Sequence, residues 1–189
     1  MCGHLQSALK PFAISDMLIS KIISGGQTGV DRAALRAAKD FVFPYGGLIP
    51  KGRKAEDGIV PLEYDQMTES TSEDYLFRTE ANVKQSDATL ILTRGELSGG
   101  TKRTVEFCKK HGKRALILKR ISPIDMDYIR KIVDWLVRVR EEEGLTDGMV
   151  LNVAGPRESK NPGIEEEAWT LLSNILVAAR IYDQNGTLN

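Results

Sequence analysis

The sequence predicts an α/β protein with a mainly parallel sheet and helices on both faces, a three-layer α/β/α sandwich. Three observations carry this. Short β-branched-rich runs alternate with amphipathic segments of ten or more residues, the pattern of βαβ units. The strand-like runs are continuously apolar, as strands covered on both faces are. The chain has 189 residues, enough for one well-buried core and marginal for two. Crossovers are expected to be right-handed, and ligands to bind outside the carboxyl ends of the strands.

The elements follow in order. LISKIIS (18–24) is short and β-branched, a buried strand. From Val30 the apolar positions Val30, Ala33, Ala34, Ala37, Ala38 and Phe41 fall on one helical face. YGGLIP (45–50) is a second strand ended by proline. The polar segment 51–72 is too long for an ordinary connection and is a functional-loop candidate. Residues 72–86 read as a helix capped by Ser72, with Tyr75, Leu76, Thr79 and Val83 inward. ATLILT (88–93) is a central strand. Residues 98–112 open on glycines and run as a helix to Gly112, a suitable left-handed C′ residue. RALILK (114–119) is a strand, 123–144 a long amphipathic helix, and GMVLNVAG (148–155) the last strand. The last helix spans 162–181, with Pro162 near its start and acids in its first turn. The expected organisation is an N-terminal extension (1–16), a single domain (17–182) and a short tail (183–189).

Lys plus Arg and Asp plus Glu number 26 each, so the net charge is zero. No general field draws the chain to nucleic acid or to an anionic membrane. Cys2 and Cys108 fit neither a disulfide framework nor a metal-ligand spacing, which suits a reducing cytosol. No apolar run approaches the roughly 20 residues of a membrane span. A cytoplasmic protein with no protein-ligated metal is expected. Cys108 reads as a core residue, His4 and His111 as poor catalytic candidates, and Trp135 and Trp169 as core or interface residues.

The informative segments are loops. SGGQTG (24–29) follows a strand and opens a helix, where unpaired backbone N–H groups favour an anion. It ends neither as a phosphate-binding Gly-Lys-Ser/Thr loop nor with the G-x-G-x-x-G spacing. Gln27 and Thr28 add donors; alternatively the glycines only allow tight packing. A second such turn, ELSGGTKRTVEFC, offers Ser98, Gly99, Gly100, Thr101 and Thr104 at the same sheet edge. The loop after the last strand adds Asn152, Arg157, Ser159 and Lys160, and the loop after the second adds Lys51, Arg53 and Lys54. Arg78 and Asn82 share a helix face and could reach a phosphate and a base-like ring. Asp31 would accept from a ligand ring or hydroxyl, or would simply complement the helix dipole. Lys51–Lys54 could equally be a solvated charge run, and Arg78 a surface ion-pair partner.

SGGQTGVDRAAL, GLIPKGRKAEDG, RTEANVKQSDATLIL, ELSGGTKRTVEF and LNVAGPRESKNPGI together resemble the molybdenum carrier family. That family is similar in turn to the Rossmann-like group of Lonely Guy phosphoribohydrolases and DprA-type domains. The resemblance spans residues 17–176. It implies a Rossmann-like fold and a carrier of molybdenum cofactor, a pterin phosphate whose metal is held by its own dithiolene. Carried over by motif, the ligand-contacting residues are Gly25, Gly26, Gln27, Thr28, Gly29, Asp31, Arg32, Lys51, Arg53, Arg78, Asn82, Ser98, Gly99, Gly100, Thr101, Thr104, Glu106, Gly155, Arg157 and Lys160. The enzyme branch carries P-G-G-x-G-T-x-x-E, whereas this chain has Ser98, Gly99, Gly100, Thr101 and, at the glutamate position, Glu106. A nucleotide N-glycosidase would use Arg78 on the phosphate and Glu106 at the departing base. A nucleotide-signal sensor is a third possibility.

The expected partner is a small anionic phosphorylated ligand. A second copy of the chain is also expected, because helix 123–144 shows apolar residues on more than one face: Ile129, Ile132, Val133, Trp135, Leu136, Val137 and Val139.

Overall fold

A computed structural model describes residues 17–188, so the expected extension 1–16 lies outside the described residues. Five parallel strands form the central sheet: β1 (Ile19–Ile23), β2 (Tyr45–Gly46), β7 (Ala88–Leu92), β8 (Arg114–Leu118) and β9 (Met149–Ala154). Their order is β2-β1-β9-β7-β8. The helices are α1 (Val30–Asp40), α2 (Tyr75–Gln85), α3 (Gly99–Lys110), α4 (Met126–Glu142) and α5 (Ile164–Asn185). α1 and α4 both pack on α5, while α2 packs on α3, which gives the three layers. The predicted Rossmann-like α/β architecture is borne out.

The sheet buries its centre. All five residues of β7 are buried, and Ile22, Leu90 and Leu151 are among the core residues of three neighbouring strands. This is why 88–93 reads as an uninterrupted apolar run. The edge strand β8 is less covered, with Arg114 and Ala115 exposed. The chain leaves β1 toward the β2 edge and leaves β7 toward the β8 edge. β9 enters last and lies between β1 and β7. Connections therefore diverge on either side of β9, and the crevice at its carboxyl end is the switch point.

Several boundaries differ from expectation. The run 45–50 is broken at Gly47 (φ 117°): β2 pairs with β1, while β3 (Leu48–Ile49) turns away to pair with β6 (Thr68–Glu69). A side chain at Gly47 would meet Ser24 O at 2.3 Å. Segment 51–72 is also more structured than a plain loop. It holds a 3-10 turn at Lys51–Arg53 and a hairpin of β4 (Lys54–Ala55) and β5 (Gly58–Ile59).

The cap of α2 is Asp74, whose carboxylate accepts from Leu76 N at 2.8 Å. Ser72 instead accepts from Asp74 N, one step earlier in the turn. Thr79 and Val83 are buried as expected, but Leu76 is exposed. α4 starts at Met126 because Asp125 caps it. α5 continues to Asn185 and stops at Gly186 (φ 71°), so 183–185 belong to the helix rather than to a tail. Asp183 there accepts from Leu18 N at 2.7 Å, joining the two ends of the described chain.

The apolar surplus on α4 is mostly absorbed internally. Ile129, Ile132, Val133, Leu136 and Val139 are buried within the chain, and Trp135 and Val137 pack half-buried against the same core. A helix wedged against both sheet and α5 needs a wider apolar arc than one resting on a sheet alone.

Candidate functional site

The carboxyl ends of β1, β7 and β9 enclose a cavity of about 520 Å³. Gly25, Gln27 and Asp31 come from the first glycine turn and the start of α1. Ser98, Gly99, Gly100, Thr101 and Thr104 come from the second turn and α3, and Gly155, Arg157 and Lys160 from the loop after β9. Arg78 and Asn82 reach in from α2. Thirteen of the residues carried over by motif therefore converge in one place.

The second turn is the open one. Ser98 occupies the N-cap of α3 but makes no side-chain cap bond. The first backbone N–H groups of a helix have no intrahelical partner, and here they border the cavity. Thr104 Oγ1 donates back to Gly100 O at 3.0 Å and tightens the first turn. Three cations line the cavity: Arg78, Arg157 and Lys160. Arg157 sits 5.0 Å over the Tyr75 ring, joining the loop after β9 to α2.

Arg78 and Asp31 form the buried centre. Arg78 Nη1 donates to Asp31 Oδ2 at 3.1 Å, with side chains 12% and 6% exposed. Arg78 Nε is buried without a partner among the described residues. Burial pushes the Asp31 carboxyl above its ordinary pKa, although Arg78 and the Gln27 N–H oppose it. Gly25 is required here for space, since a Cβ would fall 1.2 Å from Arg78 Nη1. Asn82 has a different task. Its amide exchanges bonds with Leu48 N and O at 2.7 and 3.0 Å and reaches Ser24 O at 3.3 Å, tying β3 to the end of β1.

Seven motif residues lie away from the cavity lining, each for a physical reason. Gly29 (φ 78°) lets the 156–158 backbone pack against it, and its N–H donates to Glu165 at 3.0 Å. Gly26 (φ 71°) makes room for Ile49 and Val60. Thr28 donates to Glu56. Arg32 forms a bidentate pair with Asp57, 2.9 Å on each arm. Arg53 donates to the carbonyls of Val60, Pro61 and Tyr64, so it folds its own loop. Lys51 is exposed outside the cavity. Glu106 pairs with Arg103 at 2.7 Å on the outer face of α3. The constellation needed for N-glycosidase chemistry, with Glu106 beside Arg78, is therefore not assembled.

Asn152, offered by the loop after the last strand, lines the cavity too, and so do Tyr75, Leu76 and Thr79, which the sequence motifs do not mark as ligand residues. A signal was present for two of them. Tyr75, Arg78, Thr79 and Asn82 follow the i, i+3, i+4, i+7 spacing of one helix face. Among the described residues, no group of three or more His, Cys, Asp or Glu could hold a metal ion. No helix among them is long and apolar enough to cross a membrane.

Comparison with known proteins bears on the family and the fold. The model of the Circularly permutated YpsA SLOG family matches residues 22–176. The crystal structure of a protein from Syntrophus aciditrophicus SB, named a candidate molybdenum carrier protein, is 43% identical with a TM-score of 0.76. The match covers 85% of this chain and 96% of that one. No curated protein matches.

Proposed function

The chain belongs to the Circularly permutated YpsA SLOG family, and we propose that it is a binding and carrier protein for molybdenum cofactor or a similar pterin or nucleotide phosphate. One observation carries the reading. Three cations, an uncapped helix N-terminus and two buried donors without a partner among the described residues, on Gln27 and Arg78, converge on one cavity of about 520 Å³. In a chain of zero net charge this is a concentrated anion site. Its size suits a ring system bearing one phosphate. The phosphate goes to the α3 N-terminus with Arg78 and Lys160, and the flat ring lies by Tyr75 under Arg157. The metal of the cargo is held by the pterin, so the cavity needs only to recognise the organic part. The likeness to a protein bearing the carrier name supports this assignment.

The test is mass spectrometry of the compound that co-purifies with the protein, followed by titration with that compound and with molybdenum cofactor. The wild type binds and Arg78→Ala loses most of the affinity, with a marked salt dependence of what remains. A folded wild type that carries nothing and takes up neither cofactor nor any pterin or nucleotide phosphate overturns the reading.

A further inference from the structure

The partners of Gln27 fix its amide in one orientation. Oε1 accepts from the backbone N–H of Thr28 at 3.1 Å and of Glu56 at 2.9 Å. A flipped amide would set its own NH2 against two donors, so the oxygen must stand there. Nε2 is thereby committed as a donor, and it is buried without a partner among the described residues. The residue is only 4% exposed and lines the cavity. Leaving such a donor unmade is costly, which points to an acceptor supplied from outside the chain.

Asp31 stands one helical turn on and lines the same wall. Its Oδ2 accepts from Gln27 N at 3.3 Å and from Arg78 Nη1 at 3.1 Å. Among the described residues, none donates to its Oδ1. Two lining residues four apart in the chain thus carry an obligate donor and an acceptor unpaired among the described residues, both on buried side chains. Glu56 locks the arrangement from behind: it accepts from Thr28 Oγ1 and from Ser159 N and Oγ, so three loops are clasped at one carboxylate. Neither group is needed for a phosphate, which Arg78, Lys160 and the α3 N-terminus already serve.

We infer that Gln27 and Asp31 read the ring of the ligand, selecting a heteroaromatic edge with an acceptor next to a donor. Gln27 Nε2 donates to a ring nitrogen or exocyclic oxygen, and Asp31 Oδ1 accepts from the neighbouring ring N–H or amino group. The lactam edge of a pterin or hypoxanthine and the aminopyrimidine edge of adenine both carry that pair. A phosphorylated sugar without a base, or an unsubstituted purine, lacks the donor. The inference rests on the cavity being the site of a ring phosphate, as proposed above.

The test titrates the protein with inosine monophosphate, AMP, purine riboside 5′-monophosphate and ribose 5-phosphate. The four share the phosphorylated sugar. At least one of the first two binds tenfold or more tightly than the last two, because an unpaired buried group penalises the incomplete ring. In Gln27→Glu, which keeps Oε1 and loses the donor, all affinities fall with the added charge and that ratio collapses. Equal binding of all four in the wild type overturns the inference and leaves the anion site standing. A ratio unchanged in folded Gln27→Glu overturns it as well. Binding of none overturns the inference, while the cavity reading then stands or falls on the cofactor titration above.

Discussion

The two glycine turns look alike in sequence and are used in opposite ways. Both follow a strand of the central sheet and both open a helix. In the first, added Cβ atoms would meet protein: at Gly29, Pro156 O lies at 2.5 Å and Glu158 N at 2.7 Å, and at Gly26, Ile49 and Val60 lie at about 3 Å. In the second, no atom of the described residues lies within 4 Å of a Cβ placed at Gly99 or Gly100. The first turn is a hub where three loops are fastened, and only Gly25, Gln27 and Asp31 of it line the cavity. The second is held open, and its N–H groups are free for a ligand. A glycine-rich strand-to-helix turn marks close approach by something, and the partner is as readily the protein's own backbone as a phosphate.

The largest expected effect that would break this contrast is at Gly29. Valine there combines a positive φ with a clash against the 156–158 backbone. Stability falls by about 3 kcal/mol or more, roughly 6–12 °C in Tm for a chain of this size. A melt within about 2 °C of wild type, with binding lost, would return the first turn to the ligand. Gly25→Ala tests the one glycine of that turn that serves the site. Its backbone is permissive, and the obstructed group is the tip of the Arg78 side chain, which can move aside. The fold survives with a smaller loss than in Gly29→Val. Affinity drops roughly 10- to 100-fold, because charge-assisted bonds of about 1.5–3 kcal/mol are displaced. Titration calorimetry at constant salt checks this.

Gly100→Ala sharpens the contrast from the other side. The position is helical with open space around it, so alanine stabilises the apo fold by up to about 1 kcal/mol. The new methyl projects where the ligand approaches, and affinity falls by up to about tenfold. A variant that is both less stable and fully competent in binding would show the second turn to be structural too.

The sheet and most helices were legible because their signals are local and repeated. The run 88–93 and the face of Val30, Ala33, Ala34 and Ala37 each recur over several residues. The region 51–72 was not, since two-residue strands have no period to detect and are held by distant partners. In the site, residue type told which side chains could bind an anion but not which were already occupied. Arg32 and Arg53 are as cationic as Arg78 in sequence. Only the fold shows that Asp57 takes the first and three backbone carbonyls take the second. Glu106 keeps its family spacing, yet the 100° step of a helix carries it off the face of Thr101, Thr104 and Cys108.

The smallest expected effect separates two carboxylates of the first hub by sign. Burial raises Asp31 above its ordinary pKa of 3.8 despite Arg78. The folded state then holds that proton more tightly than the unfolded one, so stability declines as pH rises from the unfolded pKa through the folded one. For Glu56, burial also pushes upward, but bonds from Ser159 and Thr28 outweigh it and the pKa lies below 4.5. Its contribution is complete above the unfolded value and is lost as pH falls through the folded one. Asp31→Asn should therefore gain on wild type as pH climbs from about 4 toward neutral. Glu56→Gln should trail wild type at neutral pH and close the gap in acid. The two differences therefore run in opposite directions with pH. Gly100→Ala in the second turn changes no titratable group, so it should parallel wild type across the range. Melting curves of the three variants from pH 3 to 7 compare them directly. A Glu56→Gln protein that tracks wild type throughout would mean that the three-loop clasp contributes nothing, and the first turn would lose its distinction as a hub.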